Sequence, residues 1–197
     1  MIVVDVETTG TNPLKHSLID IGAVDFSNAS NQFYGQCRIF QNAELSLYAL
    51  ELTGMAVEKL NDINKPTVEE LVEEFIEWTK PIKDKTIAGQ NPDFDIGFLK
   101  ASFERADKKW LFGYRKVDLH SLVYCLYLIN NKEIPIKNET SNLHANSILN
   151  YVGLPDEEKP HTGINGAVLE TEAFYRLIYG KILFEKFREF KIPSYLV

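Results

Sequence analysis

The chain begins with an apolar run that ends in two acids. Ile2, Val3 and Val4 lead into Asp5, Val6 and Glu7, and residues 1–6 read as a β-strand. Alternate residues of a strand share a face, so the carboxylates of Asp5 and Glu7 project side by side. Like charges held so close in a half-buried place repel, and each raises the pKa of the other. A strand of this kind calls for something positive between its two acids. The next stretch, Thr8 to Pro13 (TTGTNP), is turn chemistry.

The rest of the chain reads as a meander followed by helices. Residues 17–27 and 31–40 are expected as a second and a third strand, joined by Asn- and Ser-containing turns. Residues 46–60 are partly helical, with Thr53-Gly54-Met55 as an interruption. Residues 66–80 form an amphipathic helix with Val68, Leu71, Val72, Phe75, Ile76 and Trp78 on its apolar side. A short buried strand over 85–90 precedes a helix over 95–106. Further helices are expected at 116–129, after a short strand or turn, and at 142–154, closed by Gly153 and Pro155. The last long helix runs from Thr162 to Tyr179, and a tail of mixed charge follows it. The tail either docks something or finishes the core. The chain has no repeat and no low-complexity tract. The expectation is one α/β domain over residues 1–197.

Bulk properties narrow the function classes. A formal charge of −7 disfavours long cooperative coating of a nucleic-acid strand and suits short contacts at one end. Lys100, Arg105, Lys108, Lys109, Arg115 and Lys116 form basic clusters that read as solvated faces. Cys37 and Cys125 lie far apart and outside any zinc spacing, as in a reducing, cytoplasmic setting. Neither a signal sequence nor a run of about 18 apolar residues is visible, so no membrane association is expected.

Three more features join the opening pair. Asp95 stands where a strand-turn becomes a helix, with Asp93 and Asn91 just before it. His161 opens the last long helix. Strand ends and helix starts are where α/β folds gather functional side chains. Asp and Glu without Cys favour Mg²⁺ or Mn²⁺ over zinc. Two such ions can bind the attacking and leaving oxygens of a phosphoryl displacement. A histidine, with an ordinary pKa of about 6.5, can take the proton from water at neutral pH. Each residue also has a plainer reading: Asp95 as a helix cap, Asn91 as a turn residue, His161 as a helix-start residue. The ordered set carries more than any member.

That order of motifs resembles the DEDDh family of 3′–5′ exonucleases, which includes the proofreading (epsilon) subunit of bacterial DNA polymerase III and ribonuclease T. The likeness begins at VVDVETTGTNP and continues through LIDIGAV and TGM. It then takes in QNPDFDIGFL, with Gln90 where the family has His, and KVDLHSL and LHANSILNYVGLP. The resemblance implies a ribonuclease-H-like α/β fold, a mixed five-stranded sheet flanked by helices. It implies two divalent ions, Mg²⁺ or Mn²⁺, and hydrolysis at the 3′ end of single-stranded or frayed DNA or RNA to nucleoside 5′-monophosphates. Asp5 would bridge both ions, Glu7 would bind the water-activating ion, Asp95 would serve the second, and His161 would be the general base. Thr8, Met55, Asn91 and Phe98 would hold the terminal nucleotide. A role in DNA replication or repair, with a polymerase or another protein as partner, is compatible with the family.

One position departs from the family. The third motif, H-x-A-x-x-D, here reads His161-Thr162-Gly163-Ile164-Asn165-Gly166, so Gly166 stands where the fourth carboxylate belongs. Asn165 is offset by about 100° around the helix and carries no charge. Glu170 shares the face of Gly166 but lies roughly 6 Å further along the axis, which reads as too far for one extra methylene. Glu172 points elsewhere. Gly163 is accounted for by close packing on the sheet; Gly166 is not, and a mid-helix glycine costs about 1 kcal/mol relative to alanine. The sequence therefore reads as an exonuclease scaffold that is either impaired at Gly166, by natural loss or by an introduced substitution, or works with fewer ligands; impairment is the preferred reading. The alternative is an inactive nucleic-acid-binding or scaffold module of the same fold.

Overall fold

The computed structural model describes residues 1–197. Strands β1 (Ile2–Thr8), β2 (Leu18–Asp25) and β3 (Gln32–Gln36) form the antiparallel meander expected from the sequence. After β3 the backbone leaves the sheet. Arg38 and Ile39 donate their N–H groups to Pro66 and Leu60, so the third strand stops short of its expected end at 40. Helices α1 (Leu47–Thr53) and α2 (Val57–Leu60) follow, separated at Gly54, whose φ of +61° closes α1 in the left-handed region that glycine adopts freely.

Helix α3 (Val68–Thr79) starts on a reciprocal capping box between Thr67 and Glu70. Strand β4 (Ile87–Gly89) returns to the sheet, α4 (Asp93–Arg105) follows, and β5 (Lys116–Asp118) runs directly into α5 (Leu119–Ile129). A small hairpin, β6 (Ile136–Lys137) and β7 (Thr140–Ser141), precedes α6 (Ala145–Tyr151), and α7 spans Gly163–Tyr179. The sheet order is β3-β2-β1-β4-β5; β1 is antiparallel to β2 and parallel to β4, and β4 is parallel to β5. This is the mixed five-stranded, helix-flanked α/β architecture that the sequence implied.

Side-chain alternation along β1 sorts the core into two layers. Ile2, Val4 and Val6 pack with Leu71, Val72 and Phe75 of α3 and Phe98, Leu99 and Phe103 of α4. Val3 faces the other way, with Leu119 and Val123 of α5, Ile148 of α6, and Ala167 and Phe174 of α7. The C-terminal tail completes this second layer: Phe187 is buried in it, Phe184, Phe190 and Leu196 pack against it, and the Tyr195 hydroxyl donates to the Tyr151 carbonyl at 2.6 Å. Asp5 and Glu7 continue the Val3 face, so both lie on the side of the sheet that α7 covers. No helix is long and apolar enough to cross a membrane.

Candidate active site

The parallel pairing of β1 with β4 covers only Ile2–Ile87 and Val3–Ala88, while β1 runs on to Thr8. Beyond the pairing the two strands part, and α4 closes the gap. The Val6 N–H, left without a strand partner on that side, donates to Asp95 Oδ1 at 3.0 Å. Asp95 is therefore fixed in the first turn of α4 by the backbone of the strand that carries Asp5 and Glu7. Crevices at the carboxyl ends of parallel strands are the usual binding sites of α/β sheets.

Helix α7 lies unusually close on the other side. A Cβ on Gly163 would sit 2.5 Å from the Asp5 carbonyl oxygen and 2.6 Å from the Gly22 nitrogen, so the start of the helix touches sheet backbone. The Gly163 N–H donates to Asp20 Oδ1 at 3.0 Å, and Asp20 stands opposite Glu7 on β2. Burial lifts the Asp20 carboxyl to about 6, against the pull of that bond. Just ahead of the helix, the His161 N–H is held by the Leu52 carbonyl at 3.1 Å.

Asp5, Glu7, Asp95, Asn91 and His161 open together into one cleft of about 600 Å³. Asn91 takes φ +55°, and its N–H donates to Asp118 Oδ1 at 3.0 Å. Three other predicted contacts are placed elsewhere. Phe98 is 1% exposed in the core, and Phe94, one turn before it with ring centroids 5.0 Å apart, forms the cleft wall instead. Thr8 is buried, with its hydroxyl committed to the Gly10 carbonyl at 2.7 Å. Met55 is half-buried outside the cleft, whose apolar wall on that side is Tyr48 and Leu52 of α1.

Two acids that the sequence reading did not assign also line the cleft: Glu157 and Glu170. Glu157 Oε2 lies 3.6 Å from His161 Nδ1, and ligand atoms of Glu7, Glu157 and His161 all fall within 4.8 Å of one another. Glu170 Oε2 accepts the Gln90 N–H at 3.2 Å. Glu170, one turn beyond Gly166 on α7, thus lines the same cleft. Side chains of a helix tilt toward its N-terminus, which carries this carboxylate back into the cleft. Gly166, which had no packing reason in the sequence, faces Asp5 directly; a Cβ there would lie 2.7 Å from Asp5 Cγ.

Five carboxylates thus share a cleft lined by one lysine, Lys159. Burial raises Asp5 well above the carboxylate range, and Glu170, Asp95, Glu7 and Glu157 raise it further. Burial, Asp20, Glu157 and Asp95 lift Glu7 to about 8. Burial is also the main cause that lifts Asp95 and Glu157 to about 7. His161 is lowered, by burial and then by Lys159. Glu157 Oε1 is buried without a hydrogen-bond partner. An uncompensated group of buried carboxylate oxygens beside an imidazole fits a hard divalent cation.

Comparison with known proteins agrees with the fold. Residues 2–164 match the model of the Exonuclease (RNase_T) family. The 3′-5′ DNA exonuclease Cap18 of Escherichia coli is 29% identical over 182 residues, 90% of each chain. The PolC-type DNA polymerase III of Bacillus cereus is 33% identical over 107 residues, which is 53% of this chain but only 7% of that polymerase. Among solved structures, the nuclease domain of 3′hExo, a DEDDh family member bound to rAMP, superposes with a TM-score of 0.70 at 16% identity, covering 98% of this chain and 95% of that one.

Proposed function

This chain belongs to the exonuclease family, and on that premise we propose that it is a metal-dependent 3′–5′ exonuclease that releases nucleoside 5′-monophosphates from single-stranded or frayed 3′ ends. The observation that carries this reading is the convergence of Asp5, Glu7, Asp95 and His161 in one cleft whose lining holds a single lysine. The first three would hold two Mg²⁺ or Mn²⁺ ions. Ions bound there would acidify the attacking water and neutralise the leaving oxygen.

The protein's own groups supply the rest. His161, with its pKa lowered, is neutral near pH 7 and free to take a proton from water. Glu157 Oε2 lies 3.6 Å from its Nδ1. Tyr48, Leu52 and Phe94 offer apolar and aromatic surface for a terminal base, and Asn91 offers polar contacts at the cleft mouth. The name of the Cap18 relative supports DNA as substrate, and the PolC relative supports a polymerase as partner in replication or repair. Free Cys37 and Cys125 suit a cytoplasmic setting.

The test is incubation of 3′-labelled single-stranded DNA, and of its RNA counterpart, with Mn²⁺. Stepwise loss of 3′ nucleotides as 5′-monophosphates, stopped by a chelator, is the expected result. No cleavage of either strand, together with a melting temperature indifferent to Mn²⁺, would favour the inactive binding module instead.

A further inference from the structure

In a helix that otherwise follows the family pattern, Gly166 stands where the fourth acid belongs, and the structure shows what occupies that space. A side-chain carbon at 166 would overlap the Asp5 Oδ2 atom and approach Asp5 Cβ to 3.3 Å. No residue larger than glycine fits there while Asp5 keeps its orientation. On the same helix face, four residues on, stands Glu170. Its carboxylate points back along the helix, bonded through Oε2 to the Gln90 N–H and close to the end of β4, where a Cβ on Gly89 would lie 3.2 Å from Oε2. Gly166, Glu170 and Gln90 all line one small void behind the cleft.

We propose that Glu170 is the fourth metal-binding carboxylate of this cleft, and that Gly166 is the clearance that lets Asp5 keep its orientation beside it. The proposal rests on the exonuclease reading. It turns an apparent lesion into a relocation of one ligand by one helical turn. Asp5, Glu7, Asp95 and Glu170 carry four negative charges, the number that two divalent ions neutralise. Glu157 remains beside the imidazole of His161.

Glu170→Gln keeps the size of the side chain and an acceptor for Gln90, so it tests charge without removing packing. Glu170→Asp, one methylene shorter, tests reach. Both are compared with the unmodified chain, Glu157→Gln and Gly166→Asp by calorimetric titration with Mn²⁺, by melting with and without Mn²⁺, and by cleavage of labelled single-stranded DNA. Glu170→Gln and Glu170→Asp are expected to fold, to bind Mn²⁺ at least tenfold more weakly, and to lose most of its stabilising effect. Gly166→Asp is expected to melt lower without metal and to bind Mn²⁺ no more tightly than the unmodified chain. The proposal is overturned if Glu170→Gln binds Mn²⁺ like an active unmodified chain, if only Glu157→Gln loses the metal, or if Gly166→Asp gains both Mn²⁺ affinity and activity. An unmodified chain that neither binds Mn²⁺ nor cuts would instead bring down the exonuclease reading itself.

Discussion

Replacing Gly163 with alanine tests how closely α7 is set on the sheet. The added carbon would stand 2.5 Å from the Asp5 carbonyl oxygen, 2.6 Å from the Gly22 nitrogen and 2.8 Å from Asp20 Oδ1. Ordinary packed separations are about 3.5 Å or more, and two of these three atoms are backbone and cannot turn aside. The start of the helix must lift by on the order of 1 Å, and overpacking of this kind costs about 1–3 kcal/mol. Lifting also stretches the 3.0 Å bond from the Gly163 N–H to Asp20, a bond to a carboxylate worth about 1.5–3 kcal/mol. Alanine's better helix propensity returns up to about 1 kcal/mol. The net expectation is a loss of about 2–4 kcal/mol. For a chain of this length that lowers the melting temperature by roughly 5–15 °C. Urea unfolding of the metal-free protein at pH 7 reads the free energy directly, and melting curves read the temperature. A variant within about 0.5 kcal/mol of the parent, or more stable by the propensity margin, would refute the close approach on which the site geometry depends.

The crowded carboxylates predict the pH dependence of stability. Glu7 is lifted to about 8 and Asp95 and Glu157 to about 7, so between about pH 4.5 and 8 the native state holds protons that the unfolded chain has released. Stability of the metal-free protein must therefore fall as pH rises through that window. A urea midpoint at pH 8 equal to or above that at pH 5.5 would contradict this, and Mn²⁺ should flatten the fall. His161→Ala is expected to lower turnover about 10²–10⁴-fold; retained turnover in steady-state assays would remove it as the base. Arg176→Met leaves Glu172, its fully buried partner at 2.8 Å, without a countercharge. It should cost about 3–5 kcal/mol in denaturant unfolding, and a loss below about 1 kcal/mol would mean that the pair is not the lock it resembles.

The elements nearest the site were legible because their signals are local. The Ile-Val run ending in Asp5 and Glu7 determines a strand and the face of both acids, and Asp95 marks a helix start. Other features depend on partners distant in sequence. Gly166 makes sense only beside Asp5, across the whole length of the chain. Glu170 lines the cleft because α7 crosses the end of β4, where its carboxylate meets the Gln90 N–H, a placement that axial distance from Gly166 does not reveal. Glu157 lies in a loop, where no periodicity marks a residue. Phe94 and Phe98 have equally good helical spacing, and only the packing of α4 decides which meets the core. The β6–β7 hairpin was not foreseen because Asn138 and Glu139, both at positive φ, form its turn without the glycine that usually signals one.

Helix α7 explains how such a repulsive cleft can persist in a stable fold. Gly163, Gly166 and Glu170 follow one another at intervals of three and four and face the sheet and cleft. Glu172 and Arg176 lie on the opposite side of the same helix, and both are fully buried. There the Arg176 guanidinium donates to the carbonyls of Val152, Gly153 and Phe187, and Glu172 Oε2 accepts the N–H groups of Leu183 and Phe184 at 3.0 and 2.9 Å. The pair binds the end of α6 and the C-terminal tail to the back of α7. Asp5 and Glu170 are both raised well above the carboxylate range, so protonation relieves much of the repulsion at the front of α7, and the tail and α6 hold the helix from behind. The tail is therefore part of what positions Glu170 and His161, although no residue of it reaches the cleft. On this account, loss of the Glu172–Arg176 pair should weaken Mn²⁺ binding as well as stability, and by more than a change on the exposed face of α3 would.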